Sequence, residues 1–258
     1  MIDILKKLVL DVKNSIKNGY YDDIIPVIKN KYSLKNAVLK NKISIISEIK
    51  FASPSAGIIR DFKEDPVKIA YSMQNGGAIA LSILTEEKNF NGSLRVFSNI
   101  ANNIQMPLIM KDIIFTKKQI DAGKKVGADA ILLIYTIFRD KYTNKRLEDL
   151  IDYAHNNDLE IILECHNKDE FNEALTTDAD IIGINNRDLK TFNTSLNTTK
   201  KILENQNHAN KCIISESGIE SYSDIQDLLN YNVNGFLIGS SIMSSNNIEN
   251  KLKELINK

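Results

Sequence analysis

Eight short runs of apolar residues, spaced along the chain from Ile43 onward, constrain the fold more than any other feature of the sequence. The runs are rich in isoleucine, leucine and valine with little polar alternation, which is typical of strands buried on both faces of a parallel sheet. Amphipathic stretches with helix-start signals, such as Asp65-Pro66 and Ser221, lie between them. The runs are residues 43–49, 78–84, 107–110, 130–134, 159–163, 181–184, 212–214 and 235–238.

Eight strand–helix units are the number that closes a (β/α)8 barrel, or TIM barrel, and residues 43–258 have a typical length for one. The rival fold, a doubly wound open sheet, normally has a glycine-rich fingerprint after its first strand. The first strand here ends in Glu48-Ile49-Lys50 instead. We therefore predict an α/β chain with one domain, residues 1–258, that contains a TIM barrel.

The residues before the barrel have a different pattern. Leu5, Leu8, Val12 and Ile16 recur at helical spacing, and the pattern ends at Gly19. Residues 1–42 are therefore predicted to be an N-terminal helical extension packed on the barrel, with a partner-binding helix as the alternative.

Composition excludes several classes of protein. The 33 basic and 33 acidic side chains cancel, whereas proteins that bind nucleic acid or anionic membranes usually have a basic excess. The longest apolar run, residues 130–138, is too short to span a bilayer, and charged residues interrupt any secretory signal at the N-terminus. We expect a cytoplasmic protein without a nucleic-acid or membrane partner.

Polar residues gather at the ends of the predicted strands, where TIM barrels place their chemistry. A single lysine or glutamate there is explained by an ion pair at the rim, but several of them at one mouth indicate a functional site. Glycines after the seventh and eighth strands let backbone N–H groups approach an anion, which predicts a phosphate site, although glycine also serves tight turns. The strand-end residues are Glu48, Lys50, Lys111, Asp112, Glu164, Asn185–Asp188, Glu216–Gly218 and Gly239–Ser241.

Other candidate residues receive simpler interpretations. His155 and His208 are expected to be exposed, and His166 has no second ligand at metal-binding spacing, so no metal site is predicted. Cys165 is expected to point away from the barrel interior as a packed small side chain. Two phenylalanines near the mouth, Phe90 and Phe115, belong either to the core or to the walls of a site for a flat substrate.

Several motifs, in one order along the chain, resemble the indole-3-glycerol phosphate synthase family. They begin with Glu48-Ile49-Lys50 and Ala52-Ser53-Pro54-Ser55 and continue through Lys111-Asp112 and Gly183-Ile184-Asn185-Asn186-Arg187-Asp188-Leu189 to Ser215-Glu216-Ser217-Gly218-Ile219 and Leu237-Ile238-Gly239-Ser240-Ser241. Two positions depart from the family pattern: Phe51 replaces a basic residue, and Ile113 replaces a phenylalanine after Lys-Asp.

The resemblance implies ring closure, decarboxylation and dehydration of 1-(2-carboxyphenylamino)-1-deoxyribulose 5-phosphate in tryptophan synthesis, which makes the protein a carboxy-lyase. Lys111 would be the general acid and Glu164 the base, with Glu48 as the second catalytic carboxylate. Lys50 would serve the dehydration step, the phosphate, or both, and which lysine protonates which oxygen stays open. Asn185 and Ser217 would complete the catalytic set.

The same resemblance implies the binding residues. Arg187 would orient the substrate with Asn185, and Glu216 would support the neighbouring lysines. The phosphate would be held by Ser53, Gly218, Gly239 and Ser240 together with Lys50, and the aromatic ring by Pro54, Phe90 and Leu132. No cofactor or metal is expected. The partner is a small phosphorylated substrate, and a monomer is expected, with weak homo-oligomerisation left open.

Two alternatives differ in class. Phosphoribosylanthranilate isomerase is another phosphate-binding barrel enzyme, but it uses a Cys/Asp pair, and no cysteine ends a strand in the first half of this chain. A catalytically silent barrel that binds a phosphorylated ligand or a partner protein would not need to retain Lys50, Lys111 and Glu164.

Overall fold

The computed structural model describes residues 4–189, 191–206, 208 and 210–257. Its eight main strands are all parallel and close into a barrel, in which the first strand pairs with both the second and the last. The TIM barrel prediction is therefore confirmed. The strands are β1 (Ile45–Ile49), β2 (Ala80–Leu84), β3 (Leu108–Lys111), β4 (Ala130–Ile134), β5 (Glu160–Cys165), β6 (Ile181–Asn185), β7 (Cys212–Glu216) and β8 (Gly235–Ile238).

Several strands extend further toward their carboxyl ends than the apolar runs predict. Glu164, Asn185 and Glu216 belong to β5, β6 and β7 themselves, and all three are buried. The ladder hydrogen bonds of the sheet therefore hold the backbone of these residues, so their side chains start from rigid positions. A two-stranded hairpin (Ala52–Ser53 with Gly57–Ile58) follows β1.

Helices follow the strands around the barrel, and their ends agree with the signals in the sequence. Asp65 caps one helix by accepting the N–H of Val67, and Ser221 forms a capping box with Asp224. The helices are α1 (Ile4–Lys17), α2 (Leu34–Lys40), α3 (Pro66–Asn75), α4 (Leu94–Ala101), α5 (Lys117–Val126), α6 (Tyr135–Arg139), α7 (Leu147–His155), α8 (Lys168–Ala174), α9 (Asn197–Leu203), α10 (Tyr222–Leu229), α11 (Ser240–Met243) and α12 (Ile248–Ile256). None of these helices has the length and apolar character needed to cross a membrane.

The core bears on three expectations from the sequence: Phe115 was left open, Cys165 was expected to be packed, and His208 was expected to be exposed. Phe115 belongs to the core, and Cys165 is buried with its Sγ 3.4 Å from the carbonyl oxygen of Gly183. The expectation that His208 is exposed is wrong. His208 is buried and packs edge-on against Phe171, so an aromatic contact replaces the water that a polar loop would normally meet.

The N-terminal extension contacts both ends of the barrel. After α1, the Tyr20 hydroxyl donates to the carbonyl oxygen of Thr85, and the Tyr21 hydroxyl lies 3.1 Å from Asp112, both near the carboxyl ends of β2 and β3. Residues 22–33 then run to the opposite end. There Asp129, just before β4, accepts the N–H of Tyr32 and pairs with Lys29.

We expect Asp129→Ala to lower the free energy of unfolding by about 3 to 5 kcal/mol, the usual loss when one partner of a buried ion pair is removed. The variant leaves the N–H of Leu108 and the largely buried Lys29 ammonium without their carboxylate. Urea unfolding measures the effect. The control is Glu148→Ala, which removes an exposed carboxylate 3.6 Å from Arg146 and should change stability little. Equal losses in the two variants would contradict the assignment of Asp129 as a buried anchor.

Candidate active site

A cavity of about 230 Å³ opens at the carboxyl ends of the strands, beneath α1. Fourteen of the fifteen predicted site residues line it, although they are spread over nearly 200 positions of the chain. The exception is Glu216, which is fully buried behind Lys111. The lining residues from the prediction are Glu48, Lys50, Ser53, Pro54, Phe90, Lys111, Leu132, Glu164, Asn185, Arg187, Ser217, Gly218, Gly239 and Ser240.

Four charged side chains form one layer at the floor of this cavity, which we call the charged layer: Glu48, Lys111, Glu164 and Glu216. They come from the odd-numbered strands β1, β3, β5 and β7. Alternate strands supply each layer of a TIM-barrel interior, and branched apolar residues usually fill such a layer. Here the layer consists of one ammonium and three carboxylates.

Lys111 binds all three carboxylates of the charged layer. Its Nζ lies 3.0 Å from Glu216 Oε2, 3.2 Å from Glu48 Oε2 and 4.0 Å from Glu164 Oε2. The Lys111 side chain is 18% exposed and the carboxylates no more than 4% exposed, so water screens these contacts weakly. Lys50 adds a second ammonium, 2.6 Å from Glu48 Oε1.

The electrostatics of the charged layer follow from burial and from these contacts. Burial disfavours the ammonium of Lys111, but Glu216, Glu48 and Glu164 outweigh it and raise the pKa of Lys111. Burial also opposes ionisation of Glu48, yet Lys111 and Lys50 lower its pKa to about 2. Glu216 differs because burial and its carboxylate neighbours exceed the effect of Lys111, which raises the pKa of Glu216. Lys111 is thus a cation at neutral pH.

Two glycines provide the space that the carboxylates occupy. A Cβ at Gly183 would lie 2.2 Å from Glu216 Oε1, and a Cβ at Gly239 would lie 2.5 Å from Glu48 Oε1. Any larger residue would therefore push a carboxylate away from Lys111. Gly239 was predicted from its position after β8 as a phosphate-binding residue, and its contact with Glu48 is a second reason for a glycine there.

The cavity also has an apolar side. Pro54, Phe90 and Leu132 line it, together with Ile113. Glu86 holds the loop that includes Phe90, because its carboxylate accepts the backbone N–H groups of Lys88, Asn89 and Phe90. The other departure from the family pattern, Phe51, packs against Phe62 at a centroid distance of 5.6 Å.

The helical extension contributes to this apolar side as well. Ile4, Leu5 and Leu8 of α1 line the cavity, whereas the periodicity of the extension indicated only that it packs on the barrel. Its amphipathic pattern could not distinguish a face that covers the core from one that covers a cavity.

The described residues contain no group of three His, Cys, Asp or Glu side chains placed to hold a metal ion. The polar atoms at the cavity floor are instead ammonium and carboxylate groups bonded to one another.

Comparison with known proteins agrees with this geometry. The model of the indole-3-glycerol phosphate synthase family matches residues 5–255. The chain belongs to this family. Indole-3-glycerol phosphate synthase from Aquifex aeolicus is 41% identical over 236 residues, 91% of this chain and 90% of the relative. The enzyme of the same name from Staphylococcus aureus (strain Newman) is 39% identical, with 98% of this chain and 96% of the relative covered.

Solved structures with lower sequence identity share the fold of this chain. Thiamine phosphate pyrophosphorylase from Pyrococcus furiosus aligns with a TM-score of 0.60 at 19% identity, covering 87% of this chain and 96% of that one. N-acetylmannosamine-6-phosphate 2-epimerase from Clostridium perfringens aligns with a TM-score of 0.63 at 13% identity, covering 90% and 98%. At such identities the likeness establishes the barrel alone.

The sequence analysis did not identify His166 as a residue beside the charged layer. His166 was set aside because no metal ligand lies near it in the sequence, but its Nε2 lies 3.2 Å from Glu164 Oε1. The sequence does contain a signal for this cluster, because Glu164 lies two residues before His166 and Glu170 lies four residues after it. Asn186, by contrast, points away from the cavity and binds Ser215 and Thr199 between β6 and β7.

The loops after β7 and β8, where a phosphate site is predicted, line the cavity. Ser217 and Gly218 both have a positive φ, 68° and 78°, which turns the chain sharply at the cavity wall. Ser53 of the hairpin and Ser240 line the same cavity, as does Lys50. Backbone N–H groups, hydroxyls and an ammonium are the donors that phosphate prefers.

We expect Ser240→Asp to abolish binding of inorganic phosphate, because it places a negative charge where the anion is expected to sit. Broadening of the phosphorus NMR signal on titration with protein measures binding. Ser244→Asp is the matched control, since Ser244 is an exposed residue just after α11 and should leave binding unchanged. Unchanged phosphate binding in Ser240→Asp would move the anion site elsewhere.

Proposed function

We propose that the chain catalyses the reaction after which its family is named. It would convert 1-(2-carboxyphenylamino)-1-deoxyribulose 5-phosphate to indole-3-glycerol phosphate, with release of carbon dioxide and water. The observation that supports this most is the charged layer, in which Lys111 contacts Glu48, Glu164 and Glu216 at the floor of a cavity with one apolar side.

Ring closure requires a proton donor. The ring carbon that bears the carboxylate attacks the ribulose carbonyl, and negative charge develops on the carbonyl oxygen. Lys111 is the proposed acid, because its raised pKa keeps it protonated at neutral pH and it lies at the cavity floor. The three carboxylates around it favour return of the proton after each turnover.

Loss of carbon dioxide and of water completes the reaction. Carbon dioxide leaves from an intermediate whose charge is delocalised, so this step needs no cofactor. Dehydration needs an acid for the departing hydroxyl and a base for the remaining ring proton. Glu164 is the proposed base. Lys50 and Lys111 both contact Glu48, so the two ammonium groups lie close together. Either one would be placed to protonate the departing hydroxyl.

The remaining residues would bind and orient the substrate. Asn185 and Ser217 would hydrogen-bond its polar groups beside the charged layer, and Arg187 would orient it from the loop after β6, where the Arg187 guanidinium also donates to the carbonyl oxygen of Phe192. Glu216 would act through Lys111, because it does not line the cavity. The phosphate would bind Ser53, Gly218, Gly239, Ser240 and Lys50, and the aromatic ring would lie between Pro54, Phe90 and Leu132.

We further propose that one chain is the working unit, a single-domain monomer in the cytoplasm. The fourteen predicted residues that line the cavity all belong to this chain, which supports a working monomer. Other observations disfavour the two alternatives. Cys165 and Cys212 are buried outside the cavity, which disfavours a Cys/Asp isomerase, and a silent barrel would not require four buried charges.

The direct test is incubation of the purified protein with the carboxyphenylamino-deoxyribulose phosphate, following indole fluorescence with and without EDTA. We expect turnover that chelation does not change. Absence of product would refute the proposed function. Loss of turnover on chelation, restored by one divalent metal, would refute its cofactor-free form.

Lys111→Met and Glu164→Gln should each lower kcat by about 10² to 10⁴, the usual contribution of a general acid or base. Circular dichroism and urea unfolding must accompany the assay, because Lys111→Met leaves three buried carboxylates without their shared cation and should lower stability as well. Glu164→Gln keeps the size of the side chain and removes no cation. A folded Lys111→Met variant that retained more than about a tenth of wild-type kcat would contradict the assignment and make Lys50 the acid to test.

A further inference from the structure

His166 lies directly after β5, between two carboxylates that face it from opposite sides. Its Nε2 is 3.2 Å from Glu164 Oε1, and its Nδ1 is 3.5 Å from Glu170 Oε2. The His166 side chain is only 11% exposed, so the two carboxylates, and not water, are its main polar neighbours. None of the roles assigned so far uses this residue.

These contacts extend a row of alternating charges from the cavity toward the surface. Lys111 lies against Glu164, Glu164 against His166, and His166 against Glu170. Glu170, in α8, is also bound by Arg139 of α6 and by the hydroxyl of Thr136. The backbone N–H of His166 donates to Glu170 at 2.8 Å, which keeps His166 beside the first turn of α8.

The two short contacts favour a particular protonation state of the ring. A neutral imidazole has one N–H and one lone pair, and the lone pair would face a carboxylate whichever tautomer formed. An imidazolium presents an N–H to each carboxylate.

We propose that His166, as an imidazolium, is a positioning residue that keeps the Glu164 carboxylate ionised and oriented with Oε2 toward the cavity. His166 does not line the cavity and therefore acts through Glu164 rather than on the substrate. This inference rests on the proposed function, because it assigns Glu164 the role of base.

Charged side chains from five elements lie around Glu164 and His166. Lys111 of β3, Glu48 of β1 and Glu216 of β7 surround Glu164, and only Lys111 among them is a cation. Glu170 of α8 faces the far side of His166, with Arg139 behind it. Removal of His166 would therefore leave Glu164 with one cation, 4.0 Å away, in a buried layer that also contains Glu48 and Glu216.

The pKa values agree in direction with this arrangement. Burial opposes ionisation of Glu164, but His166 and Lys111 lower its pKa to about 2. Burial also opposes protonation of His166, but Glu164 and Glu170 raise its pKa to about 9. The imidazolium is therefore present through the neutral range and is lost as the pH rises through about 9.

The test compares His166→Gln with the wild type in the indole fluorescence assay over a range of pH. Gln preserves an N–H donor and removes the charge. A cation at this distance lowers a carboxyl pKa by up to about 3 units, so its loss should bring the pKa of Glu164 from about 2 to about 5. The ratio of variant kcat to wild-type kcat should then fall by about fourfold between about pH 8 and about pH 4.5. KM should change little.

The control is His155→Gln, which removes an exposed imidazole 2.9 Å from Asp180 at the opposite end of the barrel. Its ratio to the wild type should be independent of pH. A pH-independent ratio for His166→Gln as well, with both variants folded by circular dichroism, would overturn the inference, since a merely structural histidine would lower activity equally at every pH.

A second measurement does not depend on activity. The chain has three histidines, and nitrogen-15 NMR of the labelled protein, assigned with the two variants, follows each ring. We expect the His166 ring to remain doubly protonated up to about pH 8 in the wild type and to lose that proton at lower pH in Glu170→Gln. A neutral His166 ring at pH 7 would overturn the inference even if His166→Gln did not fold. Wild-type protein without turnover would instead refute the proposed function, whatever the NMR result.

Discussion

The contact between the Lys111 ammonium and the three carboxylates of the charged layer is the interaction on which the rest of the site depends. Each of the four side chains comes from a different odd-numbered strand, so they meet only when the barrel is closed. Without Lys111, three buried carboxylates would repel one another across the interior. Without the carboxylates, the ammonium would lose most of its bonding partners at the cavity floor.

Closure of the barrel and chemistry of the layer are therefore linked. A TIM barrel normally fills its interior with branched apolar side chains. The residues two positions before the members of the charged layer, on the same strands, follow that rule, since they are the buried isoleucines Ile46, Ile109, Ile162 and Ile214. Polar chemistry is confined to the end of the barrel that opens into the cavity. Gly183 and Gly239 make this substitution possible, because they leave the volume that the carboxylates of Glu216 and Glu48 need.

The N-terminal extension joins the two ends of the barrel in one structural role. At the cavity end, α1 supplies an apolar cover, and Tyr20 and Tyr21 bond to the ends of β2 and β3. At the other end, Asp129 and Glu160 accept hydrogen bonds from residues 32–35. Because α1 covers one side of the cavity, it reduces the contact of the cavity floor with water, which strengthens the charge–charge contacts there.

The sequence by itself determined the barrel and most of the site, because both are expressed in local patterns. Eight apolar runs specify eight buried parallel strands, and residues that end such strands share one face of the sheet whatever their separation along the chain. That is why the sequence alone places Glu48, Lys111 and Glu164 at one end of the barrel.

Only the tertiary structure decided which of these groups are in contact. The burial of Glu216 behind Lys111, the position of α1 over the cavity and the placement of His166 between two carboxylates depend on side-chain direction and packing between elements. The periodicity of one helix or strand does not specify these contacts. The same amphipathic face or strand-end carboxylate is compatible with several different neighbours, and only the closed barrel determines which one it meets.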